Sequence, residues 1–285
     1  MKKFFKALAI ALATIATFAF AACAKGKPVK VFKDILLTEE DYAFAIKKEN
    51  DTLLNTVNDL LATWKLDGTL DRVINSYFDG TATFKYDNKS NSPANGDFVM
   101  ATNAAFPPFE YKKGSSFTGV DVEIASMIAT HLNKTLFVYD MDFNAIIPSV
   151  QTGESDIGMA GMTVNASRLE QVDFATPYYS SAQVITVLAD DTTFDNCTTA
   201  QEVEDILAAQ DQSFKVGAQN GTTGYMYSAG NADFEYDGFT NLTTKGYRTG
   251  ALAFKDLSNG KINAVILDLQ PSLMLASSIN QSANS

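Results

Sequence analysis

Short apolar runs alternate with amphipathic segments along the chain from residue 98 onward. Such runs are typical of strands that a parallel sheet buries on both faces. Between them, apolar positions recur with helical spacing over 120–132, and a capping-box pattern beginning at Thr199 predicts another helix. This alternation predicts an α/β fold with doubly wound sheets, which bind ligands beyond the carboxyl ends of their strands. The predicted strands span 98–102, 135–139, 156–160, 184–188, 214–218 and 263–267.

Residues 42–80 follow a different pattern. A strand is predicted over 42–46, and Asn50 is placed to cap an amphipathic helix. A turn at 67–69 then leads into a second amphipathic helix. Residues 86–97 are rich in Asn, Ser, Pro and Gly, and this composition predicts a polar surface linker.

The composition favours a binding protein over an enzyme. Of the 285 residues, 46% are hydrophobic and 19% are charged, which is enough apolar surface for one or two globular domains. The net charge of -11 argues against nucleic acid as a partner, because phosphate binding needs a basic face. A Ser-His-Asp or Cys-His mechanism would depend on the single histidine, His131, which is predicted to lie on a helix surface. Two cysteines cannot form a four-ligand zinc site, and no cofactor is expected.

The first residues have the pattern of an export signal. Three lysines precede an uncharged run over 7–22, which is short for a membrane span and fits a secretory signal. Small residues directly before Cys23 resemble the lipobox of bacterial lipoproteins, in which the cysteine carries the lipid. We therefore expect removal of residues 1–22, lipidation of Cys23 and a tether over 23–27; the alternative is a plain signal peptide. Cys197 is expected to be unreactive.

Several long segments resemble the periplasmic solute-binding proteins that serve ABC importers of amino acids. Segments 101–111, 117–125, 141–168 and 171–179 resemble the first lobe of that family, and 214–224 and 261–271 resemble the second. The resemblance implies two α/β lobes, each with a mostly parallel, doubly wound sheet, joined by a hinge. It also implies capture of a free amino acid between the lobes and delivery to a membrane permease by an exported, lipid-anchored monomer.

The order of the segments differs from that of the family. Residues 38–79 resemble the family's C-terminal segment but stand near the N-terminus here, which indicates a circular permutation. Lobe 1 is then expected over 42–185, with the linker 86–97 joining the ancestral ends. Lobe 2 is expected to combine 28–38 with 187–285. The alternative is that residues 28–80 form an added module.

The resemblance assigns the two charged groups of an amino acid to different residues. Arg168 matches the arginine that clamps the ligand carboxylate, and Asp268 matches the acid that binds the ammonium. Thr163 is expected to offer its hydroxyl and N–H, and Gly161 its carbonyl, although Gly161 could serve only close packing. The N–H groups around Thr222 and Thr223 are expected to face the carboxylate as an anion pocket.

Four further positions are expected to contact the ligand side chain. Phe106 and Phe143 match aromatic residues that enclose it. Asn103 and Gln219 stand where family members often carry the residues that select it, and both are neutral. A neutral amino acid, polar or small, is therefore the predicted ligand, since an unpaired buried charge is costly.

Two other functions remain open from the sequence. The same cleft could serve a sensory or adhesive surface protein. It could also serve a dehydratase, which would need an additional general acid in the cleft. No such acid is recognised among the positions matched to the family, so we expect the protein not to be an enzyme.

Overall fold

The computed structural model describes residues 26–284, so the predicted signal, Cys23 and most of the tether lie outside the described residues. The strands are β1 (Val29–Val31), β2 (Glu40–Tyr42), β3 (Ala45–Ile46), β4 (Phe98–Thr102), β5 (Ala105–Phe106), β6 (Glu110–Lys113), β7 (Ser116–Thr118), β8 (Leu136–Asp140), β9 (Ile157–Gly158), β10 (Asp173–Phe174), β11 (Tyr179–Ser181), β12 (Gln183–Leu188), β13 (Lys215–Gln219), β14 (Thr243–Tyr247) and β15 (Ala264–Asp268). The helices are α1 (Asp51–Leu66), α2 (Thr69–Phe78), α3 (Val120–His131), α4 (Ile146–Thr152), α5 (Ala166–Leu169), α6 (Ala200–Ala208), α7 (Thr223–Ala229), α8 (Gly250–Ser258) and α9 (Leu269–Asn284), with 3-10 turns at Phe143–Ala145 and Ala232–Phe234.

Two five-stranded sheets define two lobes. The sheet of lobe 1 has the order β10-β3-β9-β4-β8, and that of lobe 2 has the order β1-β12-β15-β13-β14. Central strands of both are buried along their whole length, β4 in lobe 1 and β15 in lobe 2. Helices therefore cover both faces of each sheet, as doubly wound architecture requires. A small antiparallel sheet of β5, β6 and β7 is added to lobe 1.

Each of the two sheets is mostly parallel, as expected, with four strands in one direction and one strand in the other. Strand β4 is parallel to β8 and β9, and β13 is parallel to β14 and β15. All antiparallel pairings in these two sheets involve β1, β3, β10 or β12. Each of these four strands flanks a point where the chain crosses between the lobes. Strands β3 and β12, which follow the two crossings, run opposite to the βαβ strands, whereas β1 and β10 run with them.

Two neighbouring strands carry the chain between the lobes. Strand β2 pairs antiparallel with β11, with Tyr42 opposite Tyr179 and Glu40 opposite Ser181. Both crossings therefore lie side by side.

Helices α1 and α2 pack on lobe 1. Val57 and Val73 of these helices belong to the same buried cluster as Met100 of β4 and Ile128 of α3. Strand β3 completes the sheet by pairing with β9 and β10. These residues are therefore part of lobe 1 in the structure, and the circular permutation itself stays a prediction.

Hydrogen bonds hold the first part of the predicted surface linker against lobe 1. Residues 89–96 are exposed, but Tyr86 exchanges two backbone hydrogen bonds of 2.8 Å with Phe117. The Asn88 side chain bonds both backbone groups of Val138, with distances of 2.8 Å and 2.9 Å. Asn88 thus covers the outer edge of β8, which would otherwise offer unpaired backbone groups to another strand.

The two ends of the described chain meet on lobe 2. The Asn280 side chain of α9 accepts from the N–H of Val29 at 2.8 Å and donates to its carbonyl at 2.9 Å. Among residues 26–284, the helices fall short of the length and hydropathy that crossing a membrane requires.

Candidate functional site

A small cavity lies between the lobes. Lobe 1 and lobe 2 both contribute walls, because the carboxyl ends of β4, β13 and β15 face the cleft. The structure places all ten residues predicted to bind ligand around this one cavity. Its lining comprises Asn103, Phe106, Glu110, Phe143, Ala160, Gly161, Thr163, Arg168, Gln219, Thr222, Thr223 and Asp268.

Arg168 lies in the short helix α5 with its side chain directed into the cleft. The helix begins at Asn165, whose side chain accepts from the N–H of Arg168 at 2.9 Å. One guanidinium nitrogen donates to the carbonyl of Thr163 at 2.6 Å. The other donates to the carbonyl of Gly221 in lobe 2 at 3.0 Å. The planar guanidinium therefore spans the cleft, and hydrogen bonds to a backbone oxygen of each lobe hold it in place.

Two aromatic rings flank the Arg168 guanidinium. Its central carbon lies 5.3 Å from the ring centre of Phe143 and 5.7 Å from that of Phe234. Burial lowers the pKa of Arg168 to about 10, while the charges of Glu40 and Asp268 act in the opposite direction. The group is therefore protonated at neutral pH and only 6% exposed, with its charge largely removed from water.

Asp268 ends strand β15 and is also buried, at 3% exposure. The hydroxyl of Tyr42, from the hinge strand β2, donates to its carboxylate. Burial and then the charge of Glu40 raise the pKa of Asp268 to about 7. Burial, together with the charges of Asp268 and Glu40, also raises the pKa of Tyr42 well above its ordinary value. A negative group is therefore held in the cleft at an energetic cost, which a cation would relieve.

Neutral amides join the two walls at another part of the cavity. The Gln219 amide donates to the Asn103 side-chain oxygen at 3.1 Å, and the Asn103 amide donates to the carbonyl of Met141 at 2.7 Å. The N–H of Gly250 donates to the Gln219 side-chain oxygen at 3.1 Å. Both amides are thus oriented by partners outside the cavity.

The loop before α7 is only partly free to act as an anion pocket. The Thr222 hydroxyl and N–H both donate to the carbonyl of Gln219, at 2.8 Å and 3.3 Å. Thr223 instead reaches across the cleft, and its hydroxyl donates to the Thr163 hydroxyl oxygen at 3.2 Å. The Thr222 N–H is therefore already engaged, contrary to the expectation that it faces an anion.

Gly161 permits a close approach that another residue would block. It has a φ of +51°, and an added Cβ would lie 2.8 Å from the Phe106 ring. Its N–H donates to Asp121 at 3.0 Å. The packing role that the sequence left open is thus present, and a contact of its carbonyl with ligand remains a prediction.

Glu110 is an acid in the cleft that the sequence analysis missed. It is 1% exposed, and among residues 26–284 its Oε2 atom has no hydrogen-bond partner. Burial, and then the nearby charge of Asp121, raise the pKa of Glu110 well above its ordinary value. The expectation that no additional acid lines the cleft is therefore wrong. An acid placed directly after the sequence Phe-Pro-Pro-Phe at 106–109 was the available signal.

Asp121 is a second buried acid, close enough to Glu110 to affect its pKa. It accepts from the Tyr178 hydroxyl at 2.5 Å and from the N–H of Gly161. Burial raises the pKa of Asp121 to about 6, although these two hydrogen bonds lower it. The sequence carried a signal here too, since Asp121 lies one turn before Ile124 on the apolar face of α3.

The chain matches the model of the bacterial extracellular solute-binding proteins, family 3, over residues 98–270. The protein belongs to this family. The match leaves out residues 26–97, which supply β1, β2, β3, α1 and α2 to the two lobes.

Curated relatives are similar over part of their length. The arginine-binding extracellular protein ArtP of Bacillus subtilis is 36% identical over 34% of this chain and 38% of its own length. A putative ABC transporter arginine-binding protein 2 of Escherichia coli is 30% identical over 59% of this chain and 62% of its own length. A probable histidine-binding protein of Campylobacter jejuni is 24% identical over 65% of each chain. The chain thus spans less than two thirds of the length of these relatives.

Solved structures have the same fold. An ancestral arginine-binding protein bound to glutamine is 27% identical, with a TM-score of 0.53 over 67% of this chain and 77% of that one. The ancestral amino acid-binding protein AncCDT-1, a precursor of cyclohexadienyl dehydratase, is 28% identical, with a TM-score of 0.55 over 64% and 74%. Holo ArgBP from T. maritima is 28% identical, with a TM-score of 0.52 over 64% and 74%.

Proposed function

We propose that this protein captures a free α-amino acid in the interlobe cavity and delivers it to an ABC permease. The observation that carries the proposal is the pair of opposite buried charges, Arg168 and Asp268, lining one cavity between two lobes. A planar guanidinium binds a carboxylate through two parallel hydrogen bonds. A buried carboxylate is a suitable partner for an ammonium group. An amino acid carries both groups at a fixed separation.

A hinge motion would open this site to admit the ligand and close it again. The crossing strands β2 and β11 lie side by side, so a small rotation there would separate the walls without disturbing either sheet. Family members described as extracellular support export of this protein. We propose that Cys23 then carries the lipid that anchors it to the membrane, and that the circular permutation places this anchor on lobe 2.

We propose a neutral amino acid, polar or small, as the ligand. The amides of Asn103 and Gln219 line the cavity and bond each other across the cleft. Amide groups can both donate to and accept from an uncharged polar side chain. Glutamine or asparagine would satisfy them without burying a further charge.

A cationic amino acid is a second candidate, and Glu110 is the observation that favours it. Glu110 lines the cavity, and among the described residues its Oε2 atom has no hydrogen-bond partner, so a cationic side chain could pair with it. Relatives named as arginine-binding and histidine-binding support this candidate. The two candidates differ in whether Glu110 is protonated or ionised when ligand is bound.

Titration calorimetry with each of the twenty amino acids tests the proposal. We expect one amino acid or a small group to bind well below 1 mM, the range that two charge-assisted contacts support. No binding of any amino acid at millimolar concentration would contradict the proposal. Turnover of a prephenate-like acid by the purified protein would instead favour the dehydratase alternative, for which Glu110 would be the candidate acid.

A further inference from the structure

Glu40 sits where the two lobes and the hinge meet. It belongs to β2 and is 5% exposed. Its Oε1 atom accepts from the hydroxyl of Thr38 at 2.7 Å and from the side-chain amide of Gln183 at 2.8 Å. Its Oε2 atom accepts from the hydroxyl of Thr163 at 2.5 Å. One carboxylate therefore contacts the hinge segment, lobe 2 and a cavity-lining residue of lobe 1.

In this cluster the Glu40 carboxylate accepts every hydrogen bond described for it. The N–H of Gln183 donates to the Thr38 hydroxyl oxygen at 2.8 Å, so the single proton of that hydroxyl is available for Glu40. An ionised carboxylate can only accept, and a hydroxyl has one proton to give. The proton of Thr163 must therefore point to Glu40.

This arrangement leaves the Thr163 oxygen as an acceptor toward the cleft. The hydroxyl of Thr223 in lobe 2 donates to the Thr163 oxygen at 3.2 Å, so this oxygen acts as an acceptor there. Thr163 and Asp268 then present two acceptors on the same cavity. An ammonium group has protons for both, whereas a hydroxyl group has only one.

We propose that Glu40 is a positioning residue that holds the Thr163 hydroxyl as an acceptor and thereby makes the cavity select an α-ammonium over an α-hydroxyl group. The inference rests on the proposed function, because it concerns how that site recognises the ammonium group of its ligand. Thr163 contacts the ligand, and Glu40 acts through it.

Glu40→Gln tests this role with almost no change in shape. The two donors at the Oε1 position require an oxygen there, so the new amide nitrogen must take the Oε2 position and donate to Thr163. The Thr163 proton then points into the cleft. There it repels an ammonium group but can be donated to a hydroxyl oxygen. Glu39→Gln is the matched control, since Glu39 is exposed and its loss removes the same charge.

The measurement is the ratio of dissociation constants for an amino acid and its α-hydroxy acid. The probes are L-glutamine with 2-hydroxyglutaramic acid, and L-arginine with argininic acid. We expect Glu40→Gln to reduce the preference for the amino acid by about tenfold or more, and Glu39→Gln to leave it unchanged. In a Thr163→Val background, Glu40→Gln is expected to have little further effect on the ratio.

The outcomes separate the two proposals. If the unmodified protein binds an amino acid and Glu40→Gln keeps the full preference, the role of Glu40 is wrong while the proposed function stands. If the unmodified protein binds no amino acid, the proposed function fails and this role fails with it. If Glu40→Gln does not fold, Thr163→Val alone carries the test, and an unchanged ratio in that variant overturns the role.

Discussion

The two charged ends of the cavity are built in opposite ways. Among residues 26–284, the Arg168 guanidinium donates to backbone carbonyls and lies between aromatic rings. Asp268 lies among groups of its own sign, with the Tyr42 hydroxyl bonded to it and the charge of Glu40 nearby. Burial lowers the pKa of Arg168 and raises that of Asp268, so each end disfavours its own charge. A zwitterion would stabilise both ends at once, which is why the pair indicates a ligand.

The largest effect is expected at the arginine end. Arg168→Ala should weaken amino-acid binding by about a hundredfold or more, because two charge-assisted hydrogen bonds to the carboxylate are lost. The ligand-free protein should unfold at nearly the same temperature. Calorimetry and thermal unfolding measure the two quantities, and Arg248→Ala, at an exposed arginine, is the control. A large fall in the unfolding temperature would instead assign Arg168 a structural role.

The acid end should make binding depend on pH. Asp268 must be ionised to pair with an ammonium group, and its pKa is about 7, so affinity should fall by about tenfold as pH decreases from 8 to 6. Asp268→Asn should bind weakly at every pH and remove this dependence. If affinity changed with pH equally in Asp268→Asn and in the unmodified protein, a group other than Asp268 would be responsible.

Stability should respond to pH in the opposite direction. Asp268 and Asp121 have raised pKa values, so the folded protein binds their protons more tightly than the unfolded chain does. Their contribution to stability is complete at low pH and is lost as pH rises through about 6 to 7. The ligand-free protein should therefore unfold at a higher temperature at pH 5.5 than at pH 8. In the double variant Asp121→Asn, Asp268→Asn this difference should shrink.

Glu110→Gln should distinguish the two candidate ligands. A cationic amino acid should lose about tenfold in affinity, because its partner charge is removed, whereas an uncharged amide ligand should change by less than about threefold. Glu154→Gln, at an exposed position of lobe 1, is the control. Equal losses for both kinds of ligand would mean that Glu110 acts through packing.

The smallest effect is expected at the rim of the cleft. Arg248 of lobe 2 lies 2.5 Å from Asp142 of lobe 1, but both side chains are exposed, at 70% and 60%. Exposed ion pairs contribute little and are screened by salt. Asp142→Asn should therefore weaken binding by less than about threefold at low salt and have no effect at high salt. A loss comparable to that of Arg168→Ala would contradict the assignment of the binding energy to the buried ends.

The sequence predicts the walls of the site better than the hinge. The apolar strands 98–102 and 263–267 agree with β4 and β15 within one residue, and the residues that follow them reach the cavity because parallel strands end at the same edge. The direction of the hinge-flanking strands was not predictable from periodicity, which carries no information on pairing. Glu40 and Tyr42 were missed for the same reason, since only long-range pairing with residues 162–164 and 179–181 brings them to the cleft.

A crystal structure of the protein with its amino acid bound would test the central claim most directly. We predict that the ligand carboxylate lies within about 3 Å of both terminal nitrogens of Arg168, and the ammonium within about 3 Å of Asp268. A ligand bound outside the interlobe cavity, or one with its carboxylate away from Arg168, would contradict the account.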